Sequence, residues 1–115
     1  VLERNRQGHY IATARIDGLP VEVMLDTGAT RVSIPESLAQ RLDLKRGPPI
    51  ATSTANGSIT TYDTVLDTVQ LGDIRLHKVR ANINPHSDHV LLGMSFLKQL
   101  EFTQRGDTLI LREYH

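Results

Sequence analysis

Turn residues divide this sequence into short apolar segments, and the positions of these turns constrain its fold more than any other feature. Two pairs of extended segments are each joined by two turn residues: His9–Ile16 with Leu19–Leu25 around Asp17-Gly18, and Val65–Leu71 with Ile74–Ile83 around Gly72-Asp73. Such dipeptides between apolar segments favour β-hairpins, because Gly and Asp accept the unusual backbone angles of tight turns. The sequence therefore predicts a mainly β chain.

Two short helices are expected among the strands. Val32–Ile34 continues the extended pattern, after which Leu38 and Leu42 recur at helical spacing. Ser33 precedes Glu36 by three positions, as in a capping box at the start of a helix. We therefore predict a short first helix directly after this strand.

The C-terminal part repeats the alternation of strand and helix. In VLLGMSFLKQL, Val90–Leu100, a short buried strand, a Gly and a second short helix follow one another. Arg105-Gly106-Asp107 then turns the chain into a last strand at Leu109–Leu111. We predict that residues 1–115 form a single all-β domain with two short helices, in which residues 1–8 are a poorly ordered N-terminal extension.

The composition excludes several classes of function. The 115 residues suffice for one modest core, and 13 basic side chains balance 13 acidic ones. That balance gives no electrostatic reason to bind nucleic acid or an anionic membrane. Because the chain has no cysteine, thiol catalysis and thiolate metal sites are excluded. No apolar run approaches the roughly 20 residues that span a bilayer. The chain opens without Met, so we expect it to be a trimmed piece of a longer protein.

The segment VMLDTGAT, Val23–Thr30, places a carboxylate directly after an apolar strand. Gly28 permits a tight turn there, whose backbone N–H groups can approach the carboxylate of Asp26. Three later Asp-Thr pairs lack the following Gly: Asp63-Thr64, Asp67-Thr68 and Asp107-Thr108. Taken alone, the tripeptide is as consistent with an ordinary turn as with a catalytic acid.

Two later segments add to this motif. IATSTANGSITTYDT, Ile50–Thr64, is polar and carries Asn56-Gly57 at its middle, which is typical of a type I′ hairpin turn. Few large apolar residues flank that turn, so we expect the hairpin to project from the body of the domain. Leu91-Leu92-Gly93 then follows as an apolar-apolar-Gly segment.

In this order of motifs the chain resembles the retropepsin-like aspartic proteases of clan AA. The segments GHYIATARIDGLPVEVMLDTGAT and VLLGMSFL resemble the bacterial single-domain members, and the resemblance extends from Gly8 to Leu111. It implies a closed β-barrel with one domain per chain, hydrolysis of peptide bonds, and no cofactor.

The resemblance also implies a homodimer. Aspartic proteolysis needs two carboxylates that share a proton, one taking a proton from water while the other donates to the peptide carbonyl. This chain has a single Asp-Thr-Gly, so a two-fold axis would have to bring Asp26 of two chains together. Two like charges so close cannot both ionise cheaply, and the pair would titrate as a unit.

The family pattern assigns roles to the matching residues. Asp26, Thr27 and Gly28 would form the catalytic motif, with Thr27 bonding across the dimer and the Gly28 N–H keeping the two carboxylates coplanar. A polypeptide would bind as an added strand beneath a flap formed by the hairpin Thr52–Tyr62. The residues expected to contact this substrate are Ala29, Thr30, Ala55, Asn56, Gly57, Ser58 and Leu92. Leu92 would in addition support the catalytic loop from beneath.

One departure concerns an ion pair of the retroviral members. They place Arg after the second Gly and pair it with an Asp that follows the catalytic motif. Here Met94 follows Gly93, and Thr30-Arg31 occupies the acidic stretch. Dimer strength therefore cannot be carried over. The last hairpin, Glu101–Leu111, fits interface strands and a simple sheet edge equally well.

Bacterial relatives are commonly anchored in the inner membrane by an N-terminal helix. The resemblance therefore implies the periplasmic side of the bacterial inner membrane, with membrane contact only through a segment absent from this chain. A catalytically silent module of the same fold, used for dimerisation or peptide binding, is the alternative from a different class.

Two further kinds of site are weighed less favourably. His86, Ser87, Asp88 and His89 share one loop, but adjacent residues rarely converge on a single metal ion or form a Ser-His pair. A solvated loop accounts for them better. The basic residues are scattered without aromatic neighbours, which disfavours a nucleic-acid site.

Overall fold

Extended segments dominate the computed structural model, which describes residues 2–3, 9–54 and 57–113. The strands are β1 (Leu2–Glu3), β2 (Tyr10–Ile16), β3 (Leu19–Leu25), β4 (Val32–Pro35), β5 (Pro49–Thr54), β6 (Gly57–Leu71), β7 (Ile74–Asn84), β8 (Val90–Leu92), β9 (Leu100–Arg105) and β10 (Thr108–Glu113). The described residues also form two short helices, α1 (Glu36–Arg41) and α2 (Met94–Leu97). The predicted all-β class with two short helices is confirmed.

Six of the described strands close into a barrel in the order β2-β3-β8-β4-β7-β6. β6 completes it by pairing with β2, with Arg15 opposite Gln70 and Ile16 opposite Val69. The turn residue Asp17 reinforces this contact, because its carboxylate accepts a hydrogen bond from the N–H of Thr68 at 3.0 Å. Closure pairs two sheet edges that would otherwise be open to solvent or to another chain. The closed barrel implied by the family resemblance is confirmed.

The hairpin between β2 and β3 follows directly from its turn residues. Asp17 and Gly18 have φ angles of 49° and 86°, and positive φ at both central residues is what a type I′ turn requires. The strands pair in register from Ile16 opposite Leu19 to Tyr10 opposite Leu25. This register places Leu25 at the end of β3, immediately before Asp26.

β6 is longer than the sequence pattern suggested. We expected the polar hairpin and Val65–Leu71 to be separate elements, but β6 runs unbroken over 15 residues from Gly57 to Leu71. Its first part pairs with β5, and its later part pairs with β7 and β2. Because no Gly or Pro interrupts the segment and it has partners throughout, the chain stays extended. One strand therefore serves both the β5–β6 hairpin and the barrel wall.

The predicted capping box at α1 is wrong. Pro35 is the residue before the helix, and no side chain caps the first turn. Ser33 instead lies within β4, opposite Asn82, so sheet pairing holds it away from the helix start. The second helix was expected to run through Leu100, but it ends at Leu97.

A second, smaller sheet has the order β1-β10-β9. Leu2 and Glu3 pair with Leu109 and Thr108, so part of the stretch that we expected to be poorly ordered lies in a strand. Residues 1 and 4–8 of that stretch lie outside the described residues.

Period-two alternation separates the barrel core from a polar face on β4 and β7. Val32, Ile34, Ala81 and Ile83 are at most 2% exposed and point into the core. Successive side chains of a strand point to opposite faces, so the residues between them point out of the barrel. The outward face of these two strands forms the floor of the candidate site.

Candidate active site

The position of Asp26 follows from the way β8 is inserted into the barrel. β8 runs parallel to β3, with Leu25 opposite Leu92, and antiparallel to β4, with Ser33 opposite Leu91. The loop that leaves β3 must therefore pass around the end of β8 before it returns on β4. We call residues 26–31 the Asp26 loop.

Backbone hydrogen bonds hold the Asp26 loop on the end of β8 and on α2. The N–H of Asp26 donates to the carbonyl oxygen of Leu92 at 3.0 Å. Two further bonds come from the start of α2, Met94 to the Ala29 oxygen and Ser95 to the Thr30 oxygen, each at 2.8 Å. The loop is thus anchored at both its beginning and its middle.

Gly93 makes this close approach possible. A Cβ atom at this position would lie 2.3 Å from the carbonyl oxygen of Arg31 and 2.6 Å from that of Ala29. The φ angle of Gly93 is −92°, which any residue can adopt, so the requirement is one of space. The apolar-apolar-Gly segment identified in the sequence is therefore the support on which the Asp26 loop rests.

Ser95 ties the same support to two strands of the barrel. Its buried hydroxyl accepts a hydrogen bond from the N–H of Val32 at 3.0 Å and donates to the carbonyl oxygen of Arg80 at 2.7 Å. These contacts join α2 to β4 and β7. The loop, the helix beneath it and the barrel wall consequently form one connected unit.

The carboxylate of Asp26 is oriented by its own loop. The N–H of Gly28 donates to Asp26 Oδ1 at 2.9 Å, and a Cβ atom at Gly28 would lie only 3.2 Å from that oxygen. Asp26 is half-buried, whereas Thr27 is exposed on this single chain. The hydrogen bond from Gly28 uses Oδ1 and leaves Oδ2 for other groups.

Asp26 borders a cleft of about 690 Å³ between the Asp26 loop and the β5–β6 hairpin. Gly28, Ala29, Thr30 and Arg31 line it on the loop side. The hairpin contributes residues 50–53 of β5 and Thr61 of β6. Cross-strand bonding fixes the base of the hairpin, since the hydroxyls of Thr52 and Thr61 lie 2.9 Å apart.

The floor of the cleft is the polar face of β4, β7 and β8. It is formed by Ser33, Asn82, Asn84 and Leu91. Ser33 is opposite Asn82 in the sheet, and side chains at opposed positions share a face. These residues are not among the site residues predicted from the sequence, although the alternation Asn82-Ile83-Asn84 was the available signal.

The predicted substrate-contacting residues that the structure describes lie in three places. Ala29 and Thr30 line the cleft, Gly57 and Ser58 are exposed at the start of β6, Leu92 is fully buried beneath the Asp26 loop, and Ala55 and Asn56 lie outside the described residues. Leu91, next to the buried Leu92, is the residue of β8 that lines the cleft.

Arg31 follows the motif where the retroviral pattern has an acid, and it makes a different ion pair. Arg31 Nη1 donates to Asp63 Oδ1 at 2.6 Å, and Arg80 Nη2 donates to Asp63 Oδ2 at 3.2 Å. Asp63 belongs to β6, so the Asp26 loop is tied to the strand that carries the hairpin.

The loop that contains His86 and His89 forms a local turn. The hydroxyl of Ser87 donates to the carbonyl oxygen of His89 and accepts from its N–H, so it is engaged with backbone. Across residues 2–3, 9–54 and 57–113, no group of three or more His, Cys, Asp or Glu side chains is placed to hold a metal ion. Over the same residues, no helix has the length and apolar character needed to cross a membrane.

Comparison with known sequences places this site in a family. Residues 12–99 match the family described as "gag-polyprotein putative aspartyl protease". An uncharacterized protein in the cobV 5′ region of Sinorhizobium sp is 32% identical, over 98% of this chain and 51% of the relative. Uncharacterized protein RP867 of Rickettsia prowazekii (strain Madrid E) is 31% identical, over 96% of this chain and 50% of the relative. The chain thus spans about half the length of the curated relatives it matches.

Solved structures share the barrel. A retropepsin-like aspartic protease from Rickettsia conorii superposes with a TM-score of 0.78 at 27% identity, over 96% of this chain and 86% of that one. EIAV protease complexed with the inhibitor HBY-793 gives a TM-score of 0.66 at 22% identity, over 82% of this chain and 89% of that one. The latter likeness concerns the fold alone.

The resemblance drawn from the sequence motifs is confirmed by the family match and by the shared barrel. This chain belongs to the gag-polyprotein aspartyl protease family and has the retropepsin-like fold.

Proposed function

We propose that this chain is one half of an aspartic endopeptidase, which is active as a homodimer and uses Asp26 from each chain. The observation that carries the proposal is the position of Asp26, which is held by the Gly28 N–H and borders a cleft of about 690 Å³. The chain contains one Asp-Thr-Gly, and the reaction needs two carboxylates in opposite protonation states. A second copy of the chain supplies the missing carboxylate when a two-fold axis passes beside Asp26.

In the dimer the two Asp26 carboxyl groups share one proton. The ionised carboxylate takes a proton from a water molecule, whose oxygen attacks the peptide carbonyl carbon, while the protonated carboxyl donates to the carbonyl oxygen. The carbon–nitrogen bond then breaks as one carboxyl of the dyad protonates the amine. At the same time one hydroxyl of the tetrahedral carbon returns its proton to the other carboxylate, so that the C=O bond re-forms and the product is a carboxylic acid. The dyad ends with the single shared proton that it held at the start.

The polypeptide would lie extended between the Asp26 loop and the β5–β6 hairpin. Residues 50–53 of β5 line the cleft, which favours an added strand held through backbone hydrogen bonds. The hairpin would act as the flap over this strand. Closing over the substrate would exclude water from the reacting carbonyl.

The chain offers a matched pair of variants to test the catalytic role of Asp26. Asp26→Asn should abolish cleavage of an unfolded protein between about pH 4 and pH 7, because an amide cannot accept the proton of the attacking water. Asp67→Asn changes another Asp-Thr pair, at a 76% exposed carboxylate bound to Lys78, and should cleave like wild type. Cleavage by Asp26→Asn that equals wild type would rule out the proposed chemistry.

The dimer is tested by concentration. Cleavage should rise faster than linearly with wild-type protein at concentrations where chains and dimers coexist, and excess Asp26→Asn should suppress it by forming mixed dimers. Cleavage that stays proportional to chain concentration, with no effect of the added variant, would contradict a shared site. A folded wild-type chain that binds peptides without cleaving them would favour a catalytically silent module.

A further inference from the structure

We propose that Arg31 makes the cleft select substrates with an acidic side chain, Glu or Asp, near the bond to be cleaved. This inference rests on the proposed function and concerns the polypeptide that the same cleft would take. Arg31 is the last residue of the Asp26 loop, immediately before β4, and it lines the cleft. Its guanidinium would contact the acidic side chain directly.

Charge within the cleft points to this residue. Among the described residues that line the cleft, Asp26 and Arg31 are the two that carry a formal charge. Asp26 is committed to the proposed chemistry. The charge available to discriminate between substrate side chains is therefore the positive charge of Arg31.

The ion pair with Asp63 leaves part of this positive charge uncompensated. The carboxylate of Asp63 is shared, with Oδ1 bound by Arg31 and Oδ2 bound by Arg80. Two guanidinium groups against one carboxylate leave this cluster with a net positive charge. Arg80 and Asp63 are not among the described residues that line the cleft, so an anion in the cleft meets Arg31 first.

Arg31 also keeps hydrogen-bond donors for a ligand. A guanidinium has five N–H donors, and the hydrogen bonds of Arg31 to Asp63 and Asn82 within the described residues both use Nη1, at 2.6 Å and 3.5 Å. Its side chain is 27% exposed, so it is held in place while staying accessible. A fixed guanidinium edge fits a carboxylate through two parallel bonds, which an ammonium group cannot imitate.

The neighbouring floor suits a polar side chain. Ser33, Asn82 and Asn84 line the cleft, and each can donate a hydrogen bond to a carboxylate or an amide. These residues accept Gln as readily as Glu. The preference for the acid over its amide consequently comes from Arg31.

Matched peptides measure this preference. A cleavable peptide is prepared with Glu, Gln or Lys at each position in turn around the scissile bond, and kcat/KM is determined for each form. At one position the wild type should cleave the Glu peptide about tenfold faster than the Gln peptide, the effect of one charge-assisted hydrogen bond. The ratio should fall as salt is raised, because ions screen a partly exposed pair.

Variants assign the preference to the guanidinium. Arg31→Gln should bring the Glu-to-Gln ratio close to one, and Arg31→Lys should restore part of it through charge alone. Arg80→Gln removes a guanidinium from the same Asp63 carboxylate but not from the cleft wall, so it should keep most of the ratio. An equal loss in Arg80→Gln would refute direct contact by Arg31, and so would a wild-type ratio near one at every position. Thermal unfolding of each variant verifies that the fold is retained.

Binding separates this inference from the proposed chemistry. The same peptides are titrated into Asp26→Asn, which keeps Arg31 and the cleft. Tighter binding of Glu than Gln peptides, lost in Asp26→Asn combined with Arg31→Gln, supports the inference even when the wild type cleaves nothing. Equal binding of the two peptides overturns it even when the wild type proves to be a protease.

Discussion

Replacing Gly93 by Ala tests the support beneath the Asp26 loop. The added methyl carbon would lie 2.3 Å from the carbonyl oxygen of Arg31 and 2.6 Å from that of Ala29. An ordinary contact needs about 3.5 Å, so the Arg31 carbonyl would have to retreat by roughly 1 Å. Both oxygens belong to backbone held on the barrel by hydrogen bonds, and neither can turn away as a flexible side chain would.

The expected loss in the free energy of unfolding is about 3 kcal/mol. Overpacking a well-filled site costs about 1–3 kcal/mol. Retreat of the loop also weakens its bonds to Leu92 and Met94, now 3.0 Å and 2.8 Å long, at about 1 kcal/mol each. Ala lowers the entropy of the unfolded chain relative to Gly, which returns about 0.4–1 kcal/mol. The penalty remains large beside the roughly 5–15 kcal/mol that stabilises a typical domain.

Urea unfolding followed by circular dichroism measures this loss, with Gly72→Ala as the control. Gly72 has a φ of 59° and no atom within 4 Å of an added Cβ, so its variant reports backbone strain without a steric clash. That strain should cost about 1–2 kcal/mol. Gly93→Ala should exceed the control although its φ of −92° is unstrained.

Cleavage by the folded fraction of Gly93→Ala gives a second readout. A displacement of about 1 Å at a reacting group can cost a hundredfold in rate, so activity should fall well below the folded fraction. Gly72→Ala should cleave in proportion to its folded fraction. A Gly93→Ala protein that is as stable as wild type and fully active would refute the idea that the loop rests on this glycine.

Two further substitutions probe the buried polar contacts around the site. Ser95→Ala leaves two backbone groups of β4 and β7 without the hydroxyl that bridges them. It should lower the free energy of unfolding measured in urea by about 2 kcal/mol, whereas Ser37→Ala on the exposed face of α1 should change it by no more than about 0.5 kcal/mol. Equal effects of the two substitutions would contradict a structural role for the Ser95 hydroxyl. Thr61 is 1% exposed and its hydroxyl bonds to that of Thr52, so Thr61→Val should speed hydrogen exchange in the β5–β6 hairpin. Thr60→Val, on the exposed side of the same strand, should not. Unchanged exchange in Thr61→Val would show that the bond does not hold the hairpin.

Local chemistry made part of this molecule predictable from sequence. The type I′ turn at Asp17-Gly18 is dictated by residues that accept positive φ, and β3 followed from it. Gly93 was identifiable because its segment precedes a helix and follows apolar residues. In each case the signal and its structural consequence lie within a few positions of each other.

The lining of the cleft was not predictable in the same way. Asn82 belongs to the site because β7 lies parallel to β4, which is about 50 positions away in the chain and has its own alternation. The ion pair of Arg31 with Asp63 likewise joins residues 32 positions apart. Neither segment carries a local mark of its partner, so the cleft emerges only when the barrel closes. The failed capping box at Ser33 has the same origin, because strand pairing overrode a local helix signal.

Because β6 is continuous, the β5–β6 hairpin is attached to the barrel through an unbroken strand. β6 joins the barrel wall at Tyr62, which pairs with Ile83 of β7. Next to this point the N–H of Gly47 donates to the Asp63 oxygen at 2.7 Å and the N–H of Asp63 to the Pro48 oxygen at 3.0 Å, which holds the two ends of the hairpin together. From Asp63 the same strand continues to Leu71, at the turn into β7. A force on the end of the hairpin is therefore expected to bend β6 and to reach the part of the strand that lies in the barrel wall. We therefore expect substitutions in the barrel part of β6 to alter the flexibility of the β5–β6 hairpin, although the residue of β6 that lines the cleft is Thr61.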